Sequence, residues 1–206
     1  FALAMALADM CFGVGAISAV FIPTLFMDIP WRVLMQGQAW LGLGLGTLLW
    51  LSLFFFTEPD ASSAHREPGQ IKRLILDALK RPLVRKGMGL YAWGAGLTFG
   101  FGGYWNVKLQ EACGCTADEI SRLEMGLFSG LAVGMLVAGL LGSRAARWRI
   151  ILRTSTTLTL ILMALTLWVS AIASMGQLLA LMLALGLLFG TCSLGFAVAA
   201  LGLPSN

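Results

Sequence analysis

The chain has 206 residues, of which 58% are hydrophobic and only 12% are charged. Soluble domains have about 25% charged residues, so this composition excludes an ordinary soluble globular domain. The formal net charge of +4 does not indicate nucleic-acid binding, because the basic residues lie between long apolar runs, as they do in membrane proteins.

Six apolar runs are each long enough to cross a bilayer, since about 20 helical residues at about 1.5 Å each span the hydrocarbon core. Lipid offers the backbone no hydrogen-bond partner, so each run is predicted to be a helix. The predicted fold class is therefore all-α, a polytopic membrane bundle of six transmembrane helices. The runs cover residues 2–26, 33–56, 87–107, 119–142, 150–174 and 177–203.

The first run carries an acidic residue, Asp9. An ionisable group inside a span costs about 2.5–3.5 kcal/mol on insertion scales, so it is a candidate for function by default. We therefore take Asp9 as a candidate substrate-binding residue. The alternative is a structural position near the cytoplasmic end of the span. Since the chain starts at Phe1 without a basic leader and stops just after a helix, we expect it to be a piece of a longer protein.

The longest polar stretch, residues 57–86, separates the second and third runs. Within it, the segment from Gln70 to Lys80 has its apolar residues at helical spacing, and Pro82 is expected to end that helix. Two interpretations stay open for this amphipathic segment. One is an interfacial helix on the inner leaflet, and the other is a solvated linker helix.

The basic residues give the orientation of the spans. Eleven of the fourteen lie in or beside the loops 57–86 and 143–149, which fall on the same side of the membrane if all six runs cross it. Positively charged loops face the cytoplasm, so we predict a multi-pass protein of the cell (inner) membrane with the loop 57–86 in the cytoplasm.

The third run is rich in glycine and ends in polar and aromatic residues. Its five central glycines indicate close packing or a flexible, discontinuous stretch; they are Gly94, Gly96, Gly100, Gly102 and Gly103. Tyr104 and Trp105 are typical of an anchor at the outer membrane interface. Alternatively, Tyr104 and Asn106 contact a polar substrate, and we keep both residues as candidates.

The fourth run has a stripe of small residues and one acidic side chain. The stripe recurs every four residues, which predicts close packing against another helix; it consists of Gly126, Gly130, Gly134, Ala138 and Gly142. Thr116 and Glu119 form a capping box that predicts the start of this helix, although Ser121 and Glu124 fit the same pattern. Glu124 is thus either a cap or a cavity-facing carboxylate that couples transport to a proton or cation.

Several short motifs, in their order and sidedness, resemble the major facilitator superfamily over nearly the whole chain. The motifs are Trp31-Arg32 between the first two spans, Glu58-Pro59 before the basic loop, Tyr104-Trp105-Asn106 at the end of the third span, the segment from Gly139 to Arg147, and the segment from Phe196 to Pro204. In the fourth motif, Gly139, Arg144 and Arg147 match the second copy of the family's loop motif. Ser143 stands where that motif has its acid, so its charge pair is not expected here.

The resemblance implies that the six spans are numbers five to ten of twelve. Residues 1–56 would end the N-terminal helical bundle with two spans, residues 57–86 would be the cytoplasmic central loop with its interfacial helix, and residues 87–206 would begin the C-terminal bundle with four spans. It also implies that the protein is a secondary carrier that moves a small solute by alternating access between the two bundles.

Other functional classes receive less support. The chain has no serine–histidine pair, no phosphate-binding G-x-x-x-x-G-K-[ST] motif, and two cysteines, Cys113 and Cys115, too closely spaced for a zinc site. We therefore predict no enzymatic activity, no cofactor and no metal. The predicted partners are the lipid bilayer, a small-molecule substrate and, as an option, a coupling proton or cation, without nucleic acid. A non-transporting scaffold or receptor, or an intramembrane enzyme, is the alternative.

Overall fold

The computed structural model describes residues 2–25, 29–56, 68–142 and 148–202, and these residues are helical apart from short turns. No strand occurs in those four ranges, so the predicted all-α fold class is confirmed. The helices are α1 Ala2–Leu25, α2 Trp31–Phe56, α3 Pro68–Lys80, α4 Pro82–Leu97, α5 Asn106–Ala112, α6 Ala117–Gly142, α7 Trp148–Val169, α8 Met175–Phe189 and α9 Leu194–Ala200. A π-helical segment, Thr98–Trp105, joins α4 to α5, and a 3₁₀ turn, Gly190–Ser193, joins α8 to α9.

Three helical stretches are long and apolar enough to cross a membrane by length and composition: Ala117–Leu141, Trp148–Val169 and Met175–Ala200. They support an integral membrane protein. They correspond to the fourth, fifth and sixth predicted spans. The count of six spans, and hence the multi-pass topology in the inner membrane, stays a prediction.

The chain divides into two compact units, one formed by Phe1–Phe21 with Asp77–Asn206 and the other by Ile22–Leu76. The first unit holds a buried apolar core that includes Leu123, Leu127 and Met182, each with no exposed surface. The second contains α2, whose large apolar side chains are mostly exposed. Exposed apolar surface on this scale is typical of a face that contacts lipid or another chain.

The beginnings and ends of several helices follow the predicted signals. α3 ends at Lys80, and Pro82 is the first residue of α4, where its missing N–H is tolerated. The helix predicted within the basic loop is therefore confirmed. The capping box of Thr116 and Glu119 is also confirmed, because the Thr116 N–H donates to Glu119 Oε2 at 2.8 Å and the Glu119 N–H donates to Thr116 Oγ1 at 3.4 Å.

The predicted fifth span was too long. α7 ends at Val169, and residues 170–174 form a turn in which the Ala173 N–H donates to the Val169 carbonyl at 2.8 Å. The apolar composition continues through this turn, so composition alone gave no boundary. α8 then starts after Ser174, whose N–H donates to the side chain of Gln177 at 2.9 Å.

The small-residue stripe of α6 lies against α8. A Cβ atom added at Gly130 or Gly134 would collide with the backbone carbonyl oxygens of Leu183 and Leu187. The contact is reciprocal, because a Cβ atom at Gly186 would collide with the carbonyl oxygen of Leu127. The two helix backbones therefore touch, which is the geometry that glycine permits and larger residues prevent.

Other members of the stripe and of the loop motif are placed as follows. A Cβ atom at Gly126 would meet the end of the Leu179 side chain at 2.6 Å and would be in ordinary contact with the Leu179 carbonyl oxygen at 3.7 Å. Gly139 is buried, and Gly142 is the last residue of α6. Arg144 and Arg147 lie outside the described residues.

The glycine-rich third run is one continuous helix from Pro82 to Ala112 that contains eight π-helical residues. It is not interrupted, and close packing applies to Gly94 and Gly102, whereas a Cβ atom at Gly96, Gly100 or Gly103 would have nothing within 4 Å. A Cβ atom at Gly94 would collide with Cys192, and one at Gly102 would meet Leu127 Cδ2 at 2.6 Å. π-Helical turns of this kind are frequent at functional sites.

Candidate functional site

Four buried polar side chains from α5, α6 and the end of α7 form one hydrogen-bonded group, which we name the polar cluster: Asn106, Gln110, Glu124 and Ser170. Asn106 Nδ2 donates to Glu124 Oε1 at 2.7 Å. Gln110 Nε2 donates both to Asn106 Oδ1 at 3.3 Å and to Ser170 Oγ at 3.2 Å. Asn106 and Gln110 have no exposed surface, and Glu124 keeps only 6%. The cluster is thus shielded inside an otherwise apolar bundle.

Local helix geometry brings the cluster together. Asn106 and Gln110 are four residues apart in α5, so they lie one above the other on the same face. Asn106 directly follows the π-helical segment, and Glu124 lies two turns into α6 between fully buried Leu123 and Leu127. The alternative role of Glu124 as a partner of a cap at Ser121 is wrong, because Ser121 lies inside α6.

The orientation of both amide groups follows from a single backbone carbonyl. Ser170 Oγ donates its proton to the Thr166 carbonyl oxygen at 2.6 Å, and a carbonyl oxygen can only accept. Ser170 must then accept from Gln110, which directs Nε2 of Gln110 also toward Asn106 Oδ1. The Nδ2 group of Asn106 is consequently the one that faces Glu124.

No positive charge balances Glu124 among the described residues. Ion pairs at the surface of the described residues join Lys80 to Asp77, Lys108 to Glu111 and Arg122 to Asp118, and each has both side chains about half exposed or more. Asn106 is the one described group that interacts with the Glu124 carboxyl group. A buried carboxylate without a counter-charge is costly, which makes this position chemically unusual.

Two further residues predicted from the sequence as candidates, Tyr104 and Asp9, have no hydrogen bond to the cluster among the described contacts. Tyr104 is 59% exposed, and its ring packs edge-on against that of Trp105 with 6.0 Å between centroids. This arrangement fits the interfacial anchor better than a buried substrate contact. Asp9 is partly buried in α1, and its Oδ2 atom has no hydrogen-bond partner among the described residues.

Two members of the cluster, Gln110 and Ser170, were not predicted. Gln110 follows Asn106 by one helical turn, which is a signal that sequence reasoning could have used. Ser170 gave no such signal, because it contacts Gln110 across 60 residues of sequence and lay inside the predicted fifth span, 150–174.

The turn between α5 and α6 is connected to the cluster through a thiol. Cys115 Sγ donates to Gln110 Oε1 at 3.6 Å, and Gly114 has a φ of 86°, which glycine adopts without strain. Burial, followed by the nearby Glu119 and Cys113, raises the pKa of the Cys115 thiol above its ordinary value. Both cysteines of the turn are free thiols. Across the described ranges, no group of three or more His, Cys, Asp or Glu residues is arranged to hold a metal ion.

A separate apolar groove of about 690 Å³ lies beside the same helix, with Leu97 and Phe101 on one side and Met163 and Leu167 of α7 on the other. It contains no member of the polar cluster. Its apolar lining suits an acyl chain or an apolar helix face, so it does not define a chemical site.

No protein-family model, curated protein or solved structure matches the chain. The function therefore has to be inferred from the sequence and from the geometry of the polar cluster.

Proposed function

We propose that the chain is part of a transmembrane secondary carrier that moves a small solute by alternating access, as its resemblance to the major facilitator superfamily implies. The single observation that carries the proposal is the polar cluster, in which Glu124 is buried between three helices with only Asn106 as a donor. Ionisable residues inside membrane bundles line solute or ion pathways, and a purely structural bundle has no need of one.

The helix contacts around the cluster support the same proposal. α6 and α8 approach each other through glycine and backbone atoms, beside the apolar core that Leu127, Leu131 and Met182 form between them. The π-helical segment directly before Asn106 allows the pitch of that helix to change at the cluster. A carrier needs elements of this type, because its site has to open alternately to each side of the membrane.

An intramembrane enzyme receives no comparable support, since the described part of the chain does not bring Asp9 and Glu124 together by hydrogen bonds. A paired acid site of the kind that catalysis uses would require two such groups within reach of one substrate.

Thiol accessibility in the full-length protein tests the proposal. Glu124→Cys is placed in a background whose native cysteines are replaced by serine, and the protein is reconstituted in lipid vesicles. Alternating access predicts that a membrane-impermeant maleimide labels position 124 from one side of the membrane. Leu123→Cys is the matched control, because Leu123 has no exposed surface and points into the apolar core, and it is expected to stay unlabelled.

Silence of position 124 from both sides would contradict an accessible site. Vesicles that contain the wild-type protein are then loaded with a panel of labelled amino acids, sugars and small carboxylates for exchange measurements. A carrier exchanges at least one class across the membrane, whereas a scaffold exchanges none.

A further inference from the structure

The Glu124 carboxyl group lies in surroundings that do not favour its ionised form. Only 6% of the surface of Glu124 is exposed, yet no described cation pairs with its carboxyl group. One of its oxygens, Oε1, accepts from Asn106, and the other, Oε2, receives no hydrogen bond from the described residues. An ionised group in this setting has little solvent around it and no counter-charge among the described residues.

We propose that Glu124 is a proton-binding site, in which Oε1 stays fixed by Asn106 while Oε2 takes up and releases one proton. Its role in coupling rests on the proposed function above, but its protonation does not. Protonation forms one O–H bond at Oε2 with a proton from water, and release returns that proton to water. The site becomes neutral without a counter-ion, and the hydrogen bond at Oε1 is compatible with both states.

The orientation of the amides favours a proton over a metal cation. Asn106 presents Nδ2 to Glu124, while its oxygen is occupied by Gln110. A sodium ion requires several converging oxygen atoms, and an N–H group directed into the site repels it. A carboxylic acid or carboxylate, in contrast, accepts that N–H group directly.

The surroundings of Glu124 contain few other groups that titrate or carry charge. On its own helix, Glu119 is engaged with Thr116, and Arg122 is paired with exposed Asp118. On α5, Lys108 and Glu111 pair with each other at the surface. α8, which packs against α6, has no charged residue between its first and last positions, and the arginines of α7 lie at the end opposite Ser170. Asp9 of α1, whose Oδ2 atom has no hydrogen-bond partner among the described residues, is a second acid of this unit, but it does not hydrogen-bond to the polar cluster, in which Glu124 is the proton acceptor.

Three side chains have positioning roles in this proposal. Asn106 holds Oε1, and Gln110 and Ser170 hold the amide of Asn106 in its orientation. Removing the Asn106 donor is expected to disfavour the ionised form of Glu124 specifically, since a charged acceptor gains more from a hydrogen bond than a neutral one.

Infrared difference spectroscopy of the full-length protein in phosphatidylcholine and phosphatidylglycerol vesicles tests the proposal, with the proton itself as the probe. As the pH is lowered between about 9 and about 4, the wild-type protein is expected to gain a carboxylic C=O band from a buried acid. Glu124→Gln removes that band, because glutamine imitates the protonated acid in shape and cannot titrate. Glu111→Gln, which alters an exposed carboxylate, leaves it unchanged.

Asn106→Leu supplies a second, independent variant. The band remains, but the midpoint of its appearance moves to higher pH by about one to two units, the value of a lost hydrogen bond to a charged group. A merely structural role of Asn106 would leave the midpoint in place. Circular dichroism and gel filtration check that each variant is folded.

The proposal is overturned if wild type and Glu124→Gln give the same difference spectrum over that pH range, or if sodium chloride removes the band at constant pH. This failure is distinguishable from failure of the proposed function. A titrating Glu124 in a protein that exchanges no solute contradicts the carrier and retains the proton site. Solute exchange without titration of Glu124 supports the carrier and contradicts the proton site.

Discussion

Substitution of Gly130 is expected to separate α6 from α8 and to destabilise the protein strongly. A Cβ atom at this position would collide with the carbonyl oxygen of Leu183 and would lie 3.0 Å from the backbone nitrogen of Leu187. Backbone atoms of a helix cannot rotate aside as a side chain does, so the helices themselves must move apart. The fully packed neighbours Leu127 and Leu131 would lose contacts as they move.

The expected change in the free energy of unfolding is the sum of two opposing effects. Overpacking a close contact costs about 1–3 kcal/mol, whereas replacing a helical glycine by alanine gains up to about 1 kcal/mol. Gly130→Ala should therefore lower the free energy of unfolding by about 0–2 kcal/mol once the full alanine gain is subtracted. Gly130→Leu, whose side chain is larger and branched, should lower it by more than about 3 kcal/mol or prevent folding.

The assay is reversible unfolding of the purified full-length protein in mixed micelles with increasing dodecyl sulfate, followed by circular dichroism. Gly89 is the matched control position, because it is also helical and a Cβ atom there has nothing within 4 Å. Gly89→Ala should be neutral or stabilising, and Gly89→Leu should be tolerated. Equal stability of Gly130→Leu and Gly89→Leu would refute the close backbone contact between α6 and α8.

Three further outcomes are expected. Asn106→Leu removes the donor of the polar cluster, so the free energy of unfolding should fall by about 1–3 kcal/mol in the same assay, and an unchanged value would contradict the buried hydrogen bond. Cys115 should react with iodoacetamide more slowly than a free thiol at pH 8, because its raised pKa leaves less thiolate. Glu119→Gln should accelerate the reaction, because it removes a negative charge that raises this pKa. A slower reaction in Glu119→Gln than in wild type would contradict that effect of Glu119. Lys108→Ala should leave stability within experimental error, because its ion pair with Glu111 is exposed to solvent, and a clear loss would show that this pair is structural.

Local patterns in the sequence predicted the helices and their starts. The pair of Thr116 and Glu119, only three residues apart, fixed the beginning of α6 through a contact that needs no tertiary structure. Pro82 likewise separates two helices by its own covalent geometry. The stripe of glycines predicted a close helix contact but not its partner, since α8 carries the matching Gly186 without a comparable stripe.

The polar cluster was predicted only in part, for a physical reason. Glu124 and Asn106 were recognised one at a time, as polar residues in or beside apolar runs. Their hydrogen bond depends on how α5 and α6 pack, which the apolar composition of both helices does not specify. Ser170 depends in addition on where α7 ends, and the glycine-rich run did not predict the π-helical segment Thr98–Trp105. Neither feature has a distinctive local sequence.

The claim that these helices cross a bilayer with the basic segment on the cytoplasmic side is tested most directly by cysteine labelling in intact cells. Lys80→Cys and Ser174→Cys are introduced separately into the full-length protein after the native cysteines are replaced by serine. Both native side chains are exposed at the ends of helices. An impermeant maleimide added outside should label position 174 and should label position 80 only after the cells are opened. Labelling of position 80 in intact cells, or equal labelling of both positions, would contradict the predicted topology.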